Sequence, residues 1–177
     1  YYESITVDKQ LTIKSENGPE NCIVDGTGSN VFTIEADGIR IEGFTITEGF
    51  VGIHLCASNN NGISNNNIIL NIYGIDLWCS NINSISNNTI RWNYFGISIS
   101  RSENNSISNN SISLNDQNGI YIWYSNNTSI SNNEISLNYG GILLGVSNSS
   151  SISNNNIRMN YWSINLRYSN NISVSNN

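Results

Sequence analysis

Gly74-Ile75-Asp76-Leu77-Trp78-Cys79-Ser80-Asn81-Ile82-Asn83-Ser84-Ile85-Ser86-Asn87-Asn88-Thr89-Ile90-Arg91-Trp92-Asn93-Tyr94-Phe95 is one period of the chain, and its reading decides the fold. Ile75 and Leu77 alternate with Asp76 and Trp78, the period-two pattern of a strand with one apolar face. Ser80-Asn81-Ile82-Asn83 supplies turn residues. Ile85 opens a second short strand, and Asn87-Asn88 marks another turn. Ile90 and Trp92 alternate with Arg91 in a third strand before Asn93-Tyr94-Phe95 leads to Gly96. Three short strands and three turns describe a triangular coil.

The coil recurs. Ile-Ser-Asn-Asn-x-Ile stands at 63–68, 85–90, 107–112, 130–135 and 152–157, and a sixth copy begins at Val174. Gly52, Gly74, Gly96, Gly119 and Gly141 keep the same step of 22 or 23 residues, with Ser163 in the sixth place. No strand is long enough to stand alone, and no connection is long enough for a crossover helix. Each strand is therefore expected to stack on its equivalent one repeat later, with coils about 4.8 Å apart. Ile53, Ile75, Ile97, Ile120, Ile142 and Ile164 form one inward column, where β-branched side chains suit a pleated, buried surface. Leu55, Leu77, Ile99, Ile122, Leu144 and Leu166 form another. Asn66, Asn88, Asn110, Asn133, Asn155 and Asn177 stack at one turn, where amides can hydrogen-bond along the axis. Most of the Asn and Ser is thus architectural. The predicted fold is all-β, a right-handed single-stranded parallel β-helix (β-solenoid) of about eight coils. One domain is expected over 1–177, with irregular coils over 1–50 and regular repeats over 51–177.

Composition excludes several functions. The 177 residues hold 36 Asn, 28 Ser and 29 Ile, and the net charge is −6. Only 7 residues are Lys or Arg, too few to track a phosphate backbone, so no nucleic-acid partner is expected. No apolar run reaches the roughly 18 residues of a membrane span. Periodic Ile argues against the disorder that so much Asn and Ser would otherwise suggest.

Tyr2-x-Glu-Ser-Ile-Thr-Val-Asp-Lys-Gln-Leu-Thr-Ile, followed by Cys22-Ile23-Val24-Asp25-Gly26, resembles the opening coils of NosD-like, pectin-lyase-like β-helix proteins. The later Asn-Asn-x-Ile and Gly-Ile-x-Leu repeats look like the parallel β-helix repeats of the same family, as found in archaeal cell-surface proteins. The resemblance covers the whole chain and implies the fold. It implies function weakly, because the superfamily includes lyases, hydrolases, epimerases, a copper-pathway accessory protein and surface proteins. Its usual capping segment before the Tyr-x-Glu strand is missing here. The chain is accordingly expected to be part of a larger protein or assembly.

No catalytic constellation stands out. Glycoside hydrolysis needs two carboxylates about 5–10 Å apart. In the regular coils Asp76, Glu103, Asp116 and Glu134 fall at four different places in the repeat. The only His, His54, lies outward beside Cys56, with Cys79 near on the next coil. His54, Cys56 and Cys79 are candidate ligands for a copper or zinc ion, a reading that the NosD resemblance favours. A Cys56–Cys79 disulfide across adjacent coils is the alternative, leaving Cys22 free. No other cofactor is expected. The outward face of the Gly-Ile-x-Leu sheet is the richest surface: Trp78, Tyr121, Trp123 and Arg167 lie on it, with Arg101, Tyr124 and Tyr168 at its edge. Flat rings on a rigid sheet serve as sugar platforms or as an interface. Seven Asn-x-Ser/Thr sequons occur. Asn87 and Asn109 fall in the Asn-Asn turn, where a ladder role competes. Asn104, Asn126, Asn127, Asn148 and Asn171 fall in the turn after the aromatic strand and are the better glycosylation candidates.

These features point first to an extracellular or cell-surface structural or adhesive module that self-associates or binds other surface proteins. A carbohydrate-binding or polysaccharide-processing domain is the alternative, and a NosD-like copper accessory protein the second.

Overall fold

In the computed structural model, which describes residues 1–177, the chain forms 23 strands and no helix. The strands sort into three parallel sheets. The first sheet has eight: Ile5–Val7, Phe32–Ile34, Val51–Cys56, Tyr73–Trp78, Phe95–Ser100, Asn118–Trp123, Gly140–Gly145 and Trp162–Arg167. The second runs from Thr12–Lys14 to Ser173–Ser175 and also has eight. The third runs from Ile23–Asp25 to Asn156–Arg158 and has seven. The molecule is thus a parallel β-solenoid of three strands per coil. Seven coils are complete, and an eighth contributes two strands, so the expected eight is reduced by the missing third strand of the last coil.

Register follows the repeat. Ile53, Ile75, Ile97, Ile120, Ile142 and Ile164 pair in one column. The first five belong to a continuous core of 28 buried residues, and the partly buried Ile164 packs against it. The 23-residue step is absorbed between Asn115 and Ile120, at the entry to the first sheet, so the ladders on either side stay in phase. The recurrent glycine is set by close approach: a Cβ at Gly74 would lie 2.6 Å from the Gly96 carbonyl on the next coil.

The turns are held by side-chain ladders. At the second turn the backbone N–H of Asn66, Asn88, Asn110 and Asn133 each donates to the Oδ1 of the Asn one coil on. Three more ladders run beside it. Asn71, Asn93, Asn115, Asn138 and Asn160 hold the third turn. Ser58, Ser80, Ser102, Ser125, Ser147 and Ser169 hold the start of the first. Asn61, Asn83 and Asn105 hold its end. Most of these amides and hydroxyls are buried and hydrogen-bonded, the Ser58 hydroxyl and the Asn61 Nδ2 being buried without a partner, so the interior tolerates the ladders at little cost. Between the ladders lie residues with left-handed backbone: the Asn-Asn turn puts its first Asn there, with φ near 57° at Asn65, Asn87 and Asn109. Asn adopts this conformation more readily than most residues.

Candidate functional site

The outward face of the first sheet carries a groove of about 550 Å³. Three columns of the ladder build it. Its floor is His54, Asp76 and Ser98, which pair in register on successive strands. One wall is Val51, Tyr73 and Phe95, and the other is Trp78 and Ser100. Tyr121 occupies the next place in the floor column and closes one end. The strand period of two puts His54, Asp76, Ser98, Tyr121, Trp78 and Ser100 outward, whereas Val51, Tyr73 and Phe95 reach the same face because the alternation breaks at Gly52, Gly74 and Gly96, where a Cβ would meet a core Ile.

Two interactions organise the groove. The His54 Nδ1 lies 3.0 Å from Asp76 Oδ2, and both side chains are only about 20% exposed. The carboxylate holds the imidazole through Nδ1, and the other ring nitrogen has no protein partner. The aromatic rings form a continuous string along the axis. Phe50 meets Tyr73 edge-on, Tyr73 stacks on Phe95 with centroids 5.3 Å apart, and Phe95 tilts against Tyr121. Tyr121 in turn lies parallel to Trp123 at 6.0 Å. Burial and the nearby Tyr73 raise the Tyr121 phenol above its ordinary range, with Arg167 pulling the other way.

The aromatic candidates divide. Trp78 and Tyr121 line the groove, and Arg101 lies over the Trp78 ring at 5.2 Å. Trp123 shares Trp78's column two coils on, as expected, but its indole lies across Gly145 beyond the groove. Arg167 belongs to the same column two coils further still. Arg101, Tyr124 and Tyr168 stand at the left-handed turn position that follows the sheet, and all three are exposed. Phe50, Tyr73, Phe95 and the His54–Asp76 pair were not singled out from sequence. The 22-residue spacing from His54 to Asp76 was the signal that could have found the pair.

The cysteine expectation is corrected. All three cysteines are free. Register pairs Cys56 with Trp78, while Cys79 falls one place later in the left-handed turn column, so the two thiols do not meet. The proposed metal ligands do not assemble either. His54 is engaged by Asp76, and no group of three His, Cys, Asp or Glu side chains comes together.

Among the better sequons, Asn104, Asn127 and Asn171 are exposed in the left-handed column before the second sheet. Asn126 and Asn148 are half-buried, and each Oδ1 or Nδ2 takes part in an outer ladder with Glu103 and Asn170. At Asn87 and Asn109 the ladder is made by the following Asn88 and Asn110, not by the sequon residue.

A continuous solenoid with an elongated aromatic groove on one sheet defines a parallel β-helix protein of the pectin-lyase-like kind. The chain belongs to the family described as periplasmic copper-binding protein (NosD), whose model matches residues 5–177. No curated protein matches it in sequence. Among solved structures it is similar to full-length tailspike protein 2 from Escherichia coli O157:H7 bacteriophage CAB120, at 13% identity and a TM-score of 0.65, covering 98% of this chain and 34% of that one. It is similar to pectate lyase Pel9A at 14% identity and a TM-score of 0.58, covering 97% and 63%. A double mutant of the periplasmic alginate epimerase AlgG matches at 19% identity and a TM-score of 0.54, covering 86% and 45%. At these identities the likeness is one of fold, and the chain spans about a third to under two thirds of those structures. The donor set fits a copper ion poorly: soft and imidazole ligands are called for, and the one His and three Cys do not converge.

Proposed function

We propose that the protein binds polysaccharide along the groove of its first sheet, outside the cytoplasm. The observation that carries this reading is the groove itself: an elongated trough with an aromatic wall, a polar floor at His54–Asp76 and Trp78 opposite. An apolar-lined site with a few convergent polar groups is the usual form of a ligand site. Sugar rings present C–H faces to the aromatics and hydroxyls to the imidazole, the carboxylate and Ser98. Arg101, at the Trp78 side, adds donors for hydroxyls or carboxylates. The similar folds of a pectate lyase and an alginate epimerase support the substrate class, and the family description supports the location. Titration of tryptophan fluorescence against neutral and acidic polysaccharides tests it. Saturable quenching that weakens at least tenfold, about 1.4 kcal/mol, in Trp78→Ala is expected, and no response to any polysaccharide would overturn the proposal.

A second reading, a stiff structural or adhesive surface module, is favoured by the four interior ladders, which tie every regular coil to its neighbours. It is compatible with binding on one face. Electron microscopy showing filaments or lattices of the purified protein would support it, and dispersed short rods would count against it.

A further inference from the structure

The third turn departs from the rule that the second turn follows. At the second turn every left-handed position from Asn65 to Asn154 is Asn, the residue suited to that backbone. At the third turn the left-handed positions after Glu48 are Leu70, Trp92, Leu114, Leu137 and Met159, with φ between 57° and 60°. Bulky side chains are unfavourable there. They are also exposed, from 40% at Leu114 to 71% at Met159. Two positions on, Ile72, Tyr94, Tyr139 and Tyr161 form a parallel exposed column. The chain thus accepts backbone strain and apolar exposure together along one edge of five coils. All seven sequons lie on the other two turns, so glycans attached there would leave this edge bare.

We propose that this edge is the interface of a lateral, antiparallel dimer with a second copy of the chain. Nine exposed large side chains present roughly 1,000 Å² of mostly apolar surface, above the ~800 Å² per partner of a standard interface and larger than the usual patch on a monomer. The composition of the edge selects the partner and its direction. A two-fold axis across the ridge, between the coils of Trp92 and Leu114, lays each column on itself in reverse. Leu70 then faces Leu137, and Trp92 faces Leu114. In the second column Ile72 faces Tyr139, and Tyr94 faces Asp116. Asp116 is the one carboxylate that interrupts that column, and the Tyr94 hydroxyl is a donor for it. In the parallel arrangement the two columns face each other at equal levels, so Asp116 would face Leu114 and lack a donor.

Sedimentation equilibrium of the full chain, paired with small-angle scattering, tests this. A dimer with twice the cross-section and unchanged length, and a dissociation constant at or below about 1 μM, is expected. The double variant Leu114→Asn/Leu137→Asn separates docking from folding, because Asn relieves the left-handed strain. It is expected to be monomeric even at a hundredfold higher concentration, with a melting temperature equal to or above that of the parent. A monomeric parent, a dimer that survives the double substitution, or association that lengthens the particle would each overturn the proposal. So would binding of a polysaccharide by the ridge of a monomeric parent.

Discussion

Replacing Asn110 by Ala removes one rung of the buried amide ladder, and the lost bonds can be counted. The Asn88 backbone N–H loses its acceptor, Asn110 Oδ1, at 2.9 Å. The Asn88 Nδ2 loses the same oxygen at 3.0 Å but keeps the Ile63 and Ser86 carbonyls. The carbonyls of Ile85 and Ser108 lose the donor Nδ2 of Asn110 at 2.9 and 3.0 Å. The Asn133 Oδ1 loses the Asn110 Nδ2 at 3.0 Å but keeps the N–H at position 110. An orphaned buried N–H costs about 1–3 kcal/mol, and each lost carbonyl bond about 0.5–1.5 kcal/mol, less where a second lone pair stays engaged. The sum is about 3 kcal/mol. Asn109→Ala is the matched control: it spares the ladder and leaves Ala at φ 57°, at a cost of about 1 kcal/mol. Urea unfolding of both variants, with amide exchange followed residue by residue, reads the difference. Because each coil touches only its neighbours, faster exchange should centre on Asn88 and the coils beside it. Equal costs for the two substitutions, or an Asn88 amide that stays protected in Asn110→Ala, would refute the ladder as the source of turn stability.

Other outcomes follow from single positions. The ladder of Asn61, Asn83 and Asn105 stops where Thr128 replaces Asn, and the Thr128 hydroxyl is buried without a partner. Thr128→Asn should extend the ladder and raise stability by about 1 kcal/mol in urea. The Tyr121 phenol has its folded pKa raised by burial. Its contribution to stability is therefore complete below the unfolded value of about 10 and is lost as pH rises through the folded value. Tyr121→Phe should remove that part of the alkaline destabilisation, measured by unfolding from pH 9 to 12. Unreduced protein denatured in the presence of a thiol reagent should yield three reactive thiols per chain, and a yield of one would restore the Cys56–Cys79 bridge.

The coil, its inward Ile columns and the Asn66 ladder were legible because one repeat unit, compared with itself at 22 residues, shows them directly. The ladders through Asn71, Asn61 and Ser58 obey the same spacing, but a lone Asn or Ser at a turn reads as a turn former, and only the stacked backbone shows that its amide or hydroxyl points inward. The opening coils looked irregular because Gly38 and Gly43 take the left-handed places that Asn60 and Asn65 hold one coil later. The aromatic face was legible as a face but not as a groove. Its shape depends on where the rings lean: Trp123 settles over Gly145, while Tyr73 and Phe95 stack into a wall. The thiol pairing failed on a one-residue distinction, since Cys56 ends its strand in register with Trp78 and Cys79 has already entered the turn.

The most direct test of the groove is a glycan array probed with the intact chain alongside Trp78→Ala and His54→Ala. Binding confined to a related set of polysaccharides and lost in both variants is the expected result. An array on which the parent protein binds nothing, or on which both variants bind as well as the parent, would contradict a polysaccharide site on the first sheet.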